Sequence, residues 1–343
     1  MTQTDLEKVF KKKSILVTGG TGSIGSELVR KLLKFKPSVI RVFSNDENAQ
    51  FELEQELKDY SSCLRFLVGD VRDKERLQRA AENIEIVFHA AALKHVPLCE
   101  YNPFEAIKTN VIGTQNLLEV AMDENVEKVI TISTDKAVNP ANVMGATKLL
   151  AERLTIAANN YRGLRRTVFS CVRFGNVLAS RGSVVQTFES QIRNCGPITI
   201  TDTEMVRFCM SMERAVDLVL KAAQMARGEE IFIFKMPALK ITDLAKVMAE
   251  KIAPQCGYKP SDIHTRLIGK RKGEKLYEEL MTEEEAFNAY ETEEMLMVLP
   301  QHPLNPPNVR GNFKKVKLTK YTSRDTTLLS KKEIRTLLDS IAK

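Results

Sequence analysis

Three glycines near the start of the chain constrain its fold more than any other feature. Gly19, Gly22 and Gly25 follow an apolar, β-branched run at 14–19 and lead into a helical pattern at 26–34. Glycine at this spacing permits a tight turn, a close approach of the backbone to a pyrophosphate, and close packing of the helix on the strand. The N-terminus of the helix adds unpaired N–H groups and a partial positive charge. The motif therefore predicts a dinucleotide-binding unit at the N-terminus.

Short apolar runs alternate with helical stretches through the rest of the N-terminal half. Further strands are predicted at 38–44, 64–70, 85–91, 128–134 and 166–177, with helices at 48–60, 73–82, 103–124 and 144–160. This alternation is typical of parallel strands joined by crossover helices. The predicted fold class is α/β, a doubly wound parallel Rossmann sheet with a smaller C-terminal α/β substrate domain.

The domain organisation follows from where this alternation ends. The pattern loosens after residue 177, and a helix at 211–226 with an apolar strand at 230–236 indicates a return to the sheet. We therefore expect a dinucleotide-binding domain at 1–177, completed by a return segment at about 206–236. The expected substrate-binding domain consists of 178–205 and 237–343.

Composition excludes several classes of protein. The chain has 343 residues, of which 28% are charged and 43% hydrophobic, as in ordinary globular proteins. We predict no membrane insertion, because no apolar run reaches the roughly 18–20 residues that a bilayer requires. The six scattered cysteines and four histidines form no metal-ligand pattern, and this favours a reducing, cytoplasmic location without a metal. The net charge is +7, but basic and acidic residues are interleaved, so we predict no nucleic-acid partner.

The end of the second predicted strand bears on the choice of cofactor. NAD-binding proteins usually place a carboxylate there for the ribose 2′-hydroxyl. This strand ends in Ser44 and Asn45, and Asp46 follows only afterwards. The neutral pair favours NADP, and NAD stays open as the alternative. Asp70 and Val71, after the third strand, lie where an adenine edge would be bound.

Several motifs in a fixed order carry a resemblance to a known family. They are AAALKHVP at 90–97, Ser133-Thr134-Asp135-Lys136, Met144-x-x-x-Lys148, RFGNVLASRGSVV at 173–185, MVRFCMS at 205–211 and GKRKGEKLYEEL at 269–280. Together with the glycine motif they resemble the extended short-chain dehydrogenase/reductases. Within that group the chain resembles the inverting UDP-N-acetylglucosamine 4,6-dehydratases of capsule and flagellin sugar biosynthesis. The resemblance covers roughly residues 14–285.

The resemblance implies a redox-neutral dehydration of a UDP-N-acetylhexosamine. Oxidation at C4 acidifies the C5 proton, water is lost across C5 and C6, and the hydride returns to C6. Lys136 is then the base for the C5 proton, with a pKa depressed by burial beside Lys148 and by a cationic nicotinamide. Asp135 protonates the departing C6 hydroxyl, and Thr134 orients the hexose. Reprotonation of C5 from the opposite face would invert that centre.

One position departs from the pattern of the superfamily. Its catalytic pair is Tyr-x-x-x-Lys, and Met144 stands here at the tyrosine position. Met144 and Lys148 share one helix face, but methionine has no proton to exchange. Either the chain is an inactive cofactor-binding protein, or neighbouring groups such as Lys136 have taken over the proton transfer. The resemblance to active variants with the same methionine favours the second interpretation.

Matching motif positions also imply binding residues. For the cofactor these are Gly19, Thr21, Gly22, Ser23, Ile24, Gly25, Ser44, Asn45, Asp46, Asp70, Val71, Ala90, Ala92, Lys94, Thr109, Lys148 and Val177. For the substrate they are Lys94, Asn176, Arg181, Gly182, Ser183, Val184, Thr199, Arg207, Arg271 and Glu274. Arginine suits this role because its guanidinium forms bidentate hydrogen bonds with phosphate. The resemblance also implies a homo-oligomer, with a hexamer as one candidate state.

Two other functions are compatible with the same motifs. A UDP-N-acetylhexosamine 4-epimerase would stop at the ketone and return hydride to the other face of C4. Such an enzyme needs neither a C5 base nor a C6 acid, so Asp135 and Lys136 favour the dehydratase. A non-enzymatic dinucleotide-binding protein is the third candidate, and Met144 is the feature that permits it.

Overall fold

The glycine motif lies at the centre of a ten-stranded sheet in the computed structural model, which describes residues 3–301 and 313–341. The described strands are β1 Ser14–Thr18, β2 Val39–Ser44, β3 Leu64–Val68, β4 Ile86–His89, β5 Lys128–Ile132, β6 Val168–Arg173, β7 Asn176–Val177, β8 Ile198–Ile200, β9 Val206–Met210, β10 Ile231–Phe234, β11 Ala238–Lys240, β12 Thr265–Leu267, β13 Glu279–Met281, β14 Ala289–Glu291, β15 Met295–Val298, β16 Lys314–Lys315 and β17 Tyr321–Thr322.

Helices connect and cover these strands. They are α1 Gln3–Phe10, α2 Ser23–Leu33, α3 Glu47–Glu56, α4 Lys74–Ala81, α5 Val96–Tyr101, α6 Pro103–Ile107, α7 Gly113–Asp123, α8 Val143–Tyr161, α9 Val184–Arg193, α10 Met212–Met225, α11 Ile241–Ile252, α12 Glu283–Ala286 and α13 Lys331–Ile341. The predicted strands and helices of the N-terminal half are all present, and most differ by a few residues at their ends.

The order of the main sheet confirms the predicted fold class. From one edge the strands run β3-β2-β1-β4-β5-β6-β10-β15-β14-β16. Every pairing from β3 to β10 is parallel. The order 3-2-1-4-5-6 is that of a doubly wound dinucleotide-binding sheet, in which ligands bind beyond the carboxyl ends of the strands where the order reverses. That point lies between β1 and β4.

Helices cover both faces of the sheet, as double winding requires. Buried side chains of α1, α2, α3 and α10 pack on one face, and those of α4, α7 and α8 pack on the other. The strands are buried on both faces, which explains why they read as continuous apolar runs rather than alternating ones. A separate apolar cluster joins α9, α11 and α13 with β8 and β11.

The C-terminal part of the chain contributes to the main sheet in a way that the sequence did not indicate. β15 pairs antiparallel with β10, and β14 pairs antiparallel with β15. Residues 289–298 therefore belong to the large sheet, although the expected organisation assigns all of 237–343 to the substrate domain. The reason is that β10 would otherwise be an edge strand with unpaired backbone groups.

A buried arginine fastens β6 to this later part of the chain. Arg173 has 1% of its surface exposed and donates to both carboxylate oxygens of Glu152, at 3.0 and 2.6 Å. It also donates to the Glu285 carboxylate, at 2.9 and 3.0 Å, and to the Leu280 carbonyl oxygen. Burial opposes its charge, but the two carboxylates outweigh that effect and raise the pKa of Arg173. The cluster holds 280–285 against the sheet.

The helix predicted over 103–124 contains a wider turn. Between α6 and α7, residues Lys108–Ile112 form a π-turn, and Asn110 within it is buried. Wider turns of this kind inside α-helices are frequent at functional sites. Here the turn brings the Asn110 side chain to the loop that follows β4, where it accepts from Leu93 N at 2.8 Å and donates to Leu93 O at 2.9 Å.

Candidate functional site

The glycine loop is packed so tightly that side chains are excluded. Gly19 has φ +64°, and a Cβ there would lie 2.7 Å from Ala91 Cα. A Cβ on Gly25 would lie 2.2 Å from the Gly19 carbonyl oxygen. Gly22 caps α2 and, having no side chain, forms no capping hydrogen bond with the N–H groups of the first turn, which begins Ser23, Ile24. The loop thus fits a pyrophosphate, since it leaves backbone donors and a partial positive charge for an anion.

The end of β2 is fixed by polar contacts. Thr21 Oγ1 and Ser44 Oγ are 2.7 Å apart and buried. The Asp46 carboxylate accepts from Ala49 N at 3.0 Å and so caps α3. Asn45 Nδ2 donates to Asp70 Oδ2 at 3.2 Å. The Asp46 carboxylate is thus occupied in capping α3. Asn45 is the residue after β2 whose side chain contacts Asp70, which follows β3, and this side chain is neutral.

An arginine that the sequence analysis did not consider lies at this end of the site. The Arg72 guanidinium donates to Asp70 Oδ2 at 2.7 Å and to Glu105 Oε2 at 2.6 Å. Burial favours the neutral form of Asp70, but the hydrogen bonds from Arg72 outweigh it and lower the pKa of that carboxyl. The sequence clue to Arg72 was its position two residues after Asp70, which is one of the residues expected to bind the cofactor. Val71, which lies between them, is buried.

The loop after β4 joins the two expected halves of the site. Ala90 N donates to Thr18 O at 3.0 Å, which aligns the start of the loop with the end of β1. Lys94 Nζ donates to Arg181 O at 2.6 Å. Burial, together with the charge of Arg181, lowers the pKa of Lys94. Ala92 in the same loop and Thr109 in the π-turn are both partly buried.

A second helix N-terminus adjoins the glycine loop. Arg181 N donates to Ser23 Oγ at 2.9 Å, so the segment leading to α9 lies against the first turn of α2. Ser183 caps α9 without a side-chain hydrogen bond, and Val184 begins the helix. Within the described residues, buried Ser183 Oγ and Asn176 Oδ1 have no hydrogen-bond partner. The unpaired Ser183 hydroxyl, at the N-terminus of α9, is compatible with an anionic ligand.

Polar and charged groups gather after β5. Asp135 is fully buried, and its Oδ1 accepts from Thr134 Oγ1 at 2.9 Å and from Lys136 Nζ at 2.9 Å. Lys136 Nζ also lies 3.3 Å from Glu278 Oε1. In the part of the chain that the structure describes, Asp135 Oδ2 and Glu278 Oε2 are buried without a partner. Glu278 belongs to the GKRKGEKLYEEL motif, from which Arg271 and Glu274 were expected in the site and Glu278 was not.

The protein's own groups do not depress the pKa of Lys136 as expected. Burial does oppose the charge of Lys136, but Asp135 and Glu278 outweigh it and raise the pKa above its usual value. Lys148 is the lysine with a lowered pKa, because burial dominates there despite Glu152. Its Nζ donates to the Ile132 carbonyl at 2.6 Å. The spacing along the sequence could not reveal that a carboxylate from a distant segment reaches Lys136.

Met144 lies in an apolar cluster. It has 4% of its surface exposed and packs with Cys99 and Ala106. This environment suits a thioether, which itself has no proton to exchange. Position 144 therefore contributes packing at the start of α8, while Lys148 one turn later faces the end of β5.

A buried histidine is a further group that the sequence analysis missed. His89, at the end of β4, has hydrogen bonds to Thr18 Oγ1 at 2.7 Å and Thr114 Oγ1 at 3.0 Å. Burial and the charge of Lys148 lower the pKa of His89 to about 3. The ring therefore stays neutral and joins β1, β4 and α7 directly beneath the glycine loop.

The residues expected to bind the nucleotide differ in how far their polar groups are already hydrogen-bonded within the protein. Arg207 NH1 donates to the Val206 and Leu276 carbonyls at 3.0 Å, and NH2 donates to Lys275 O at 2.8 Å. Its guanidinium is thus largely committed to backbone oxygens, with Glu274 Oε1 and Glu278 Oε1 each 3.8 Å away. Thr199 exchanges two hydrogen bonds with Gln191. Arg271 is exposed, and its backbone N–H donates to Glu274 Oε2. Val177 pairs with β9.

The fold and this site define an extended short-chain dehydrogenase/reductase of the dehydratase and epimerase group. Residues 15–300 match the family model described as polysaccharide biosynthesis protein, and the chain belongs to that family.

Three curated relatives illustrate the range of names in it. An uncharacterized membrane protein of Methanocaldococcus jannaschii is 60% identical over 98% of both chains. A UDP-N-acetylglucosamine 4,6-dehydratase (inverting) of Campylobacter jejuni is 45% identical over 85% of this chain and 84% of its own. A UDP-glucose 4-epimerase of Rickettsia rickettsii is 41% identical over 96% of both.

Two solved structures support the assignment. Pen from Bacillus thuringiensis superposes with a TM-score of 0.90 at 44% identity, over 96% of this chain and 98% of that one. DesIV, a dTDP-glucose 4,6-dehydratase from Streptomyces venezuelae solved with NAD bound, gives a TM-score of 0.69 at 24% identity, over 77% and 86%. The second likeness concerns the fold alone. Among the residues the structure describes, no helix is both long and apolar enough to cross a bilayer.

Proposed function

We propose that the chain is an NADP-dependent UDP-N-acetylglucosamine 4,6-dehydratase that inverts C5. The observation that carries this proposal is the cluster after β5, where the Lys136 ammonium lies 2.9 Å from the fully buried Asp135 carboxylate. A dehydratase needs a base for the C5 proton and an acid for the C6 hydroxyl. An epimerase needs neither, so a pair made of a buried acid and a partly exposed lysine base at this place favours dehydration.

The proposed mechanism assigns each step to a side chain. A bound nicotinamide supplies the chemistry that takes hydride from C4 and returns it to C6. Thr134 orients the hexose, Lys136 takes the C5 proton, and Asp135 gives a proton to the departing C6 hydroxyl. Lys148 holds the nicotinamide ribose. In the absence of a tyrosine at 144, Lys136 first accepts the proton of the C4 hydroxyl and passes it to solvent before it takes the C5 proton.

The binding roles rest on the two helix N-termini and the basic side chains around them. The first turn of α2 receives the cofactor pyrophosphate, and Asn45 at the end of β2 favours NADP, with NAD as the alternative. The segment Arg181–Val184 and Arg271 receive the diphosphate of the nucleotide sugar. We also propose a homo-oligomer, with the exposed Tyr101 and Phe104 of α5 and α6 on the surface where a second copy binds.

A proton NMR time course of the purified protein with UDP-GlcNAc in D2O tests the proposal. A new C6 methyl signal with deuterium at C5 is the expected result, and the ring couplings report the inversion. The second candidate is the 4-epimerase, which the names of the 41%-identical Rickettsia relatives favour. Conversion to the galacto isomer without a methyl signal would establish it. An unchanged spectrum with added NADP+ would refute both activities on UDP-GlcNAc and leave a different nucleotide sugar or a non-enzymatic dinucleotide-binding protein.

A further inference from the structure

A third charged side chain completes the surroundings of Lys136. Glu278 has 3% of its surface exposed, and its Oε1 lies 3.3 Å from Lys136 Nζ. Its backbone is fixed, because Glu278 N donates to Ser323 Oγ at 3.0 Å and Ser323 N donates to Glu278 O at 2.8 Å. A carboxylate held this firmly against a lysine must affect where the proton of that lysine resides.

The proposed dehydration requires two protonation states at once. Lys136 must be a neutral amine to take the C5 proton, and Asp135 must be a carboxylic acid to protonate the C6 hydroxyl. This state contains the same number of protons as the ammonium–carboxylate pair. Transfer of one proton from Lys136 Nζ to Asp135 therefore produces the base and the acid together. Asp135 Oδ2, which has no partner among the described residues, is free to carry that proton.

The shared proton has to be retained at the pH of the reaction. Burial favours its loss from Lys136, and so does the positive charge of Arg207. The charges of Asp135 and Glu278 oppose that loss. If the proton left, Asp135 would stay ionised and could not act as the acid.

We propose that Glu278 is a positioning residue whose charge retains the shared proton on the Asp135–Lys136 pair. The inference rests on the proposed dehydratase function. In each turnover the proton of the C4 hydroxyl passes through the Lys136 amine to solvent, and C5 regains one solvent proton when hydride returns to C6. Between these steps the C5–H bond breaks and its proton joins the Lys136 amine, while the C6–O bond breaks and the Asp135 proton leaves in water. The pair is then an ammonium and a carboxylate again, and one internal proton transfer restores the active state. Glu278 gains and loses no proton.

The pH dependence of turnover tests this role. Glu278→Gln preserves the size of the side chain but removes the charge, so the pair loses its proton more readily. We expect the alkaline limb of kcat to move to lower pH by about one unit or more, a tenfold change in proton affinity. The control is Glu279→Gln, because Glu279 is the neighbouring carboxylate and bonds to Asn139 instead. Its alkaline limb should coincide with that of the wild type. An unmoved limb in Glu278→Gln would overturn the proposal.

A second measurement does not depend on any substrate. Competitive acetylation with acetic anhydride, read by mass spectrometry of the peptide that contains Lys136, gives the pH midpoint of that amine. The side chain is 22% exposed and therefore within reach of the reagent. We expect a lower midpoint in Glu278→Gln than in the wild type and in Glu279→Gln. Equal midpoints would refute the coupling even in a folded, cofactor-bound protein. If the wild type does not dehydrate UDP-GlcNAc, the proposed function fails, and the midpoints still decide whether Glu278 controls Lys136.

Discussion

Replacing Gly25 with alanine should separate α2 from the glycine loop. The new Cβ would lie 2.2 Å from the Gly19 carbonyl oxygen and 2.7 Å from Gly20 Cα, both of them backbone atoms. Ordinary contact begins near 3.4 Å, so the shortfall at Gly19 O is 3.4 − 2.2, or 1.2 Å. The backbone cannot rotate away as a side chain would, and hence the helix itself must move by about that distance.

The cost of this movement has two parts. Overpacking of this kind destabilises a protein by about 1–3 kcal/mol. The displaced N–H groups of the first turn also lose hydrogen bonds to the pyrophosphate, each of them worth about 1.5–3 kcal/mol when the partner is charged. One lost bond weakens cofactor affinity by about tenfold to a hundredfold.

Gly22→Ala is the matched control. Its Cβ would lie 3.2 Å from the same carbonyl oxygen, a shortfall of 3.4 − 3.2, or 0.2 Å. Its φ of −71° and ψ of 170° suit alanine. Urea unfolding of the cofactor-free variants and titration with NADPH fluorescence separate the two terms. Gly25→Ala should lose both stability and affinity, and Gly22→Ala should keep most of its stability. Equal stability of Gly25→Ala and the wild type would refute the reasoning.

Three further predictions follow from the charged groups. Lys136→Met should abolish deuterium incorporation at C5 and leave the cofactor bound, and wild-type turnover by this variant would remove Lys136 from the mechanism. Glu285, whose pKa is lowered by Arg173 against the effect of burial, stabilises the fold above its unfolded pKa of about 4.3 and loses that contribution as the pH falls through its folded value. Urea unfolding of Glu285→Gln should therefore show a loss of about 1–3 kcal/mol at pH 7 that shrinks towards pH 3, and a constant difference would contradict this. Arg271→Ala should raise the KM for the nucleotide sugar more than it lowers kcat, as measured by steady-state kinetics, because Arg271 is exposed and is proposed to bind the diphosphate; unchanged kinetics would exclude a role in binding.

The fold was predictable because its strongest signals are local. The position of Gly19, Gly22 and Gly25 and the alternation of strand and helix patterns depend on neighbouring residues, and they were sufficient for the parallel sheet. The antiparallel strands β14 and β15 were not predictable in the same way. Their partner is β10, and a pairing that depends on a free sheet edge leaves no mark in the local sequence.

The candidate site likewise contains some contacts that are local in sequence and others that join distant segments. Asp135 and Lys136 adjoin each other in sequence, so their proximity could be anticipated. The protonation of Lys136 could not, because Glu278 reaches it from a distant segment and reverses the effect of burial. Arg207 shows a related limit, since its donors face backbone carbonyls of 275–276 that no spacing rule connects to it. Residue types and motifs indicated which groups belong to the site. The direction of their pKa shifts could be determined only from the tertiary contacts.

The ion pair between Arg173 and Glu285 has a consequence for synthesis of the chain on the ribosome. The strands that hold the glycine loop are all translated before Glu278 and Glu285, and N-terminal regions generally fold first during translation. A nascent chain that has reached β10 can thus assemble the dinucleotide cleft while Arg173 has only Glu152 as its partner. Glu285, the second carboxylate that pairs with Arg173, and Glu278, the carboxylate beside Lys136, are translated together in one short stretch of the C-terminal part of the chain. Under the proposed function, a chain that terminates before that stretch is expected to keep the cofactor loop but to lack Glu278 and Glu285.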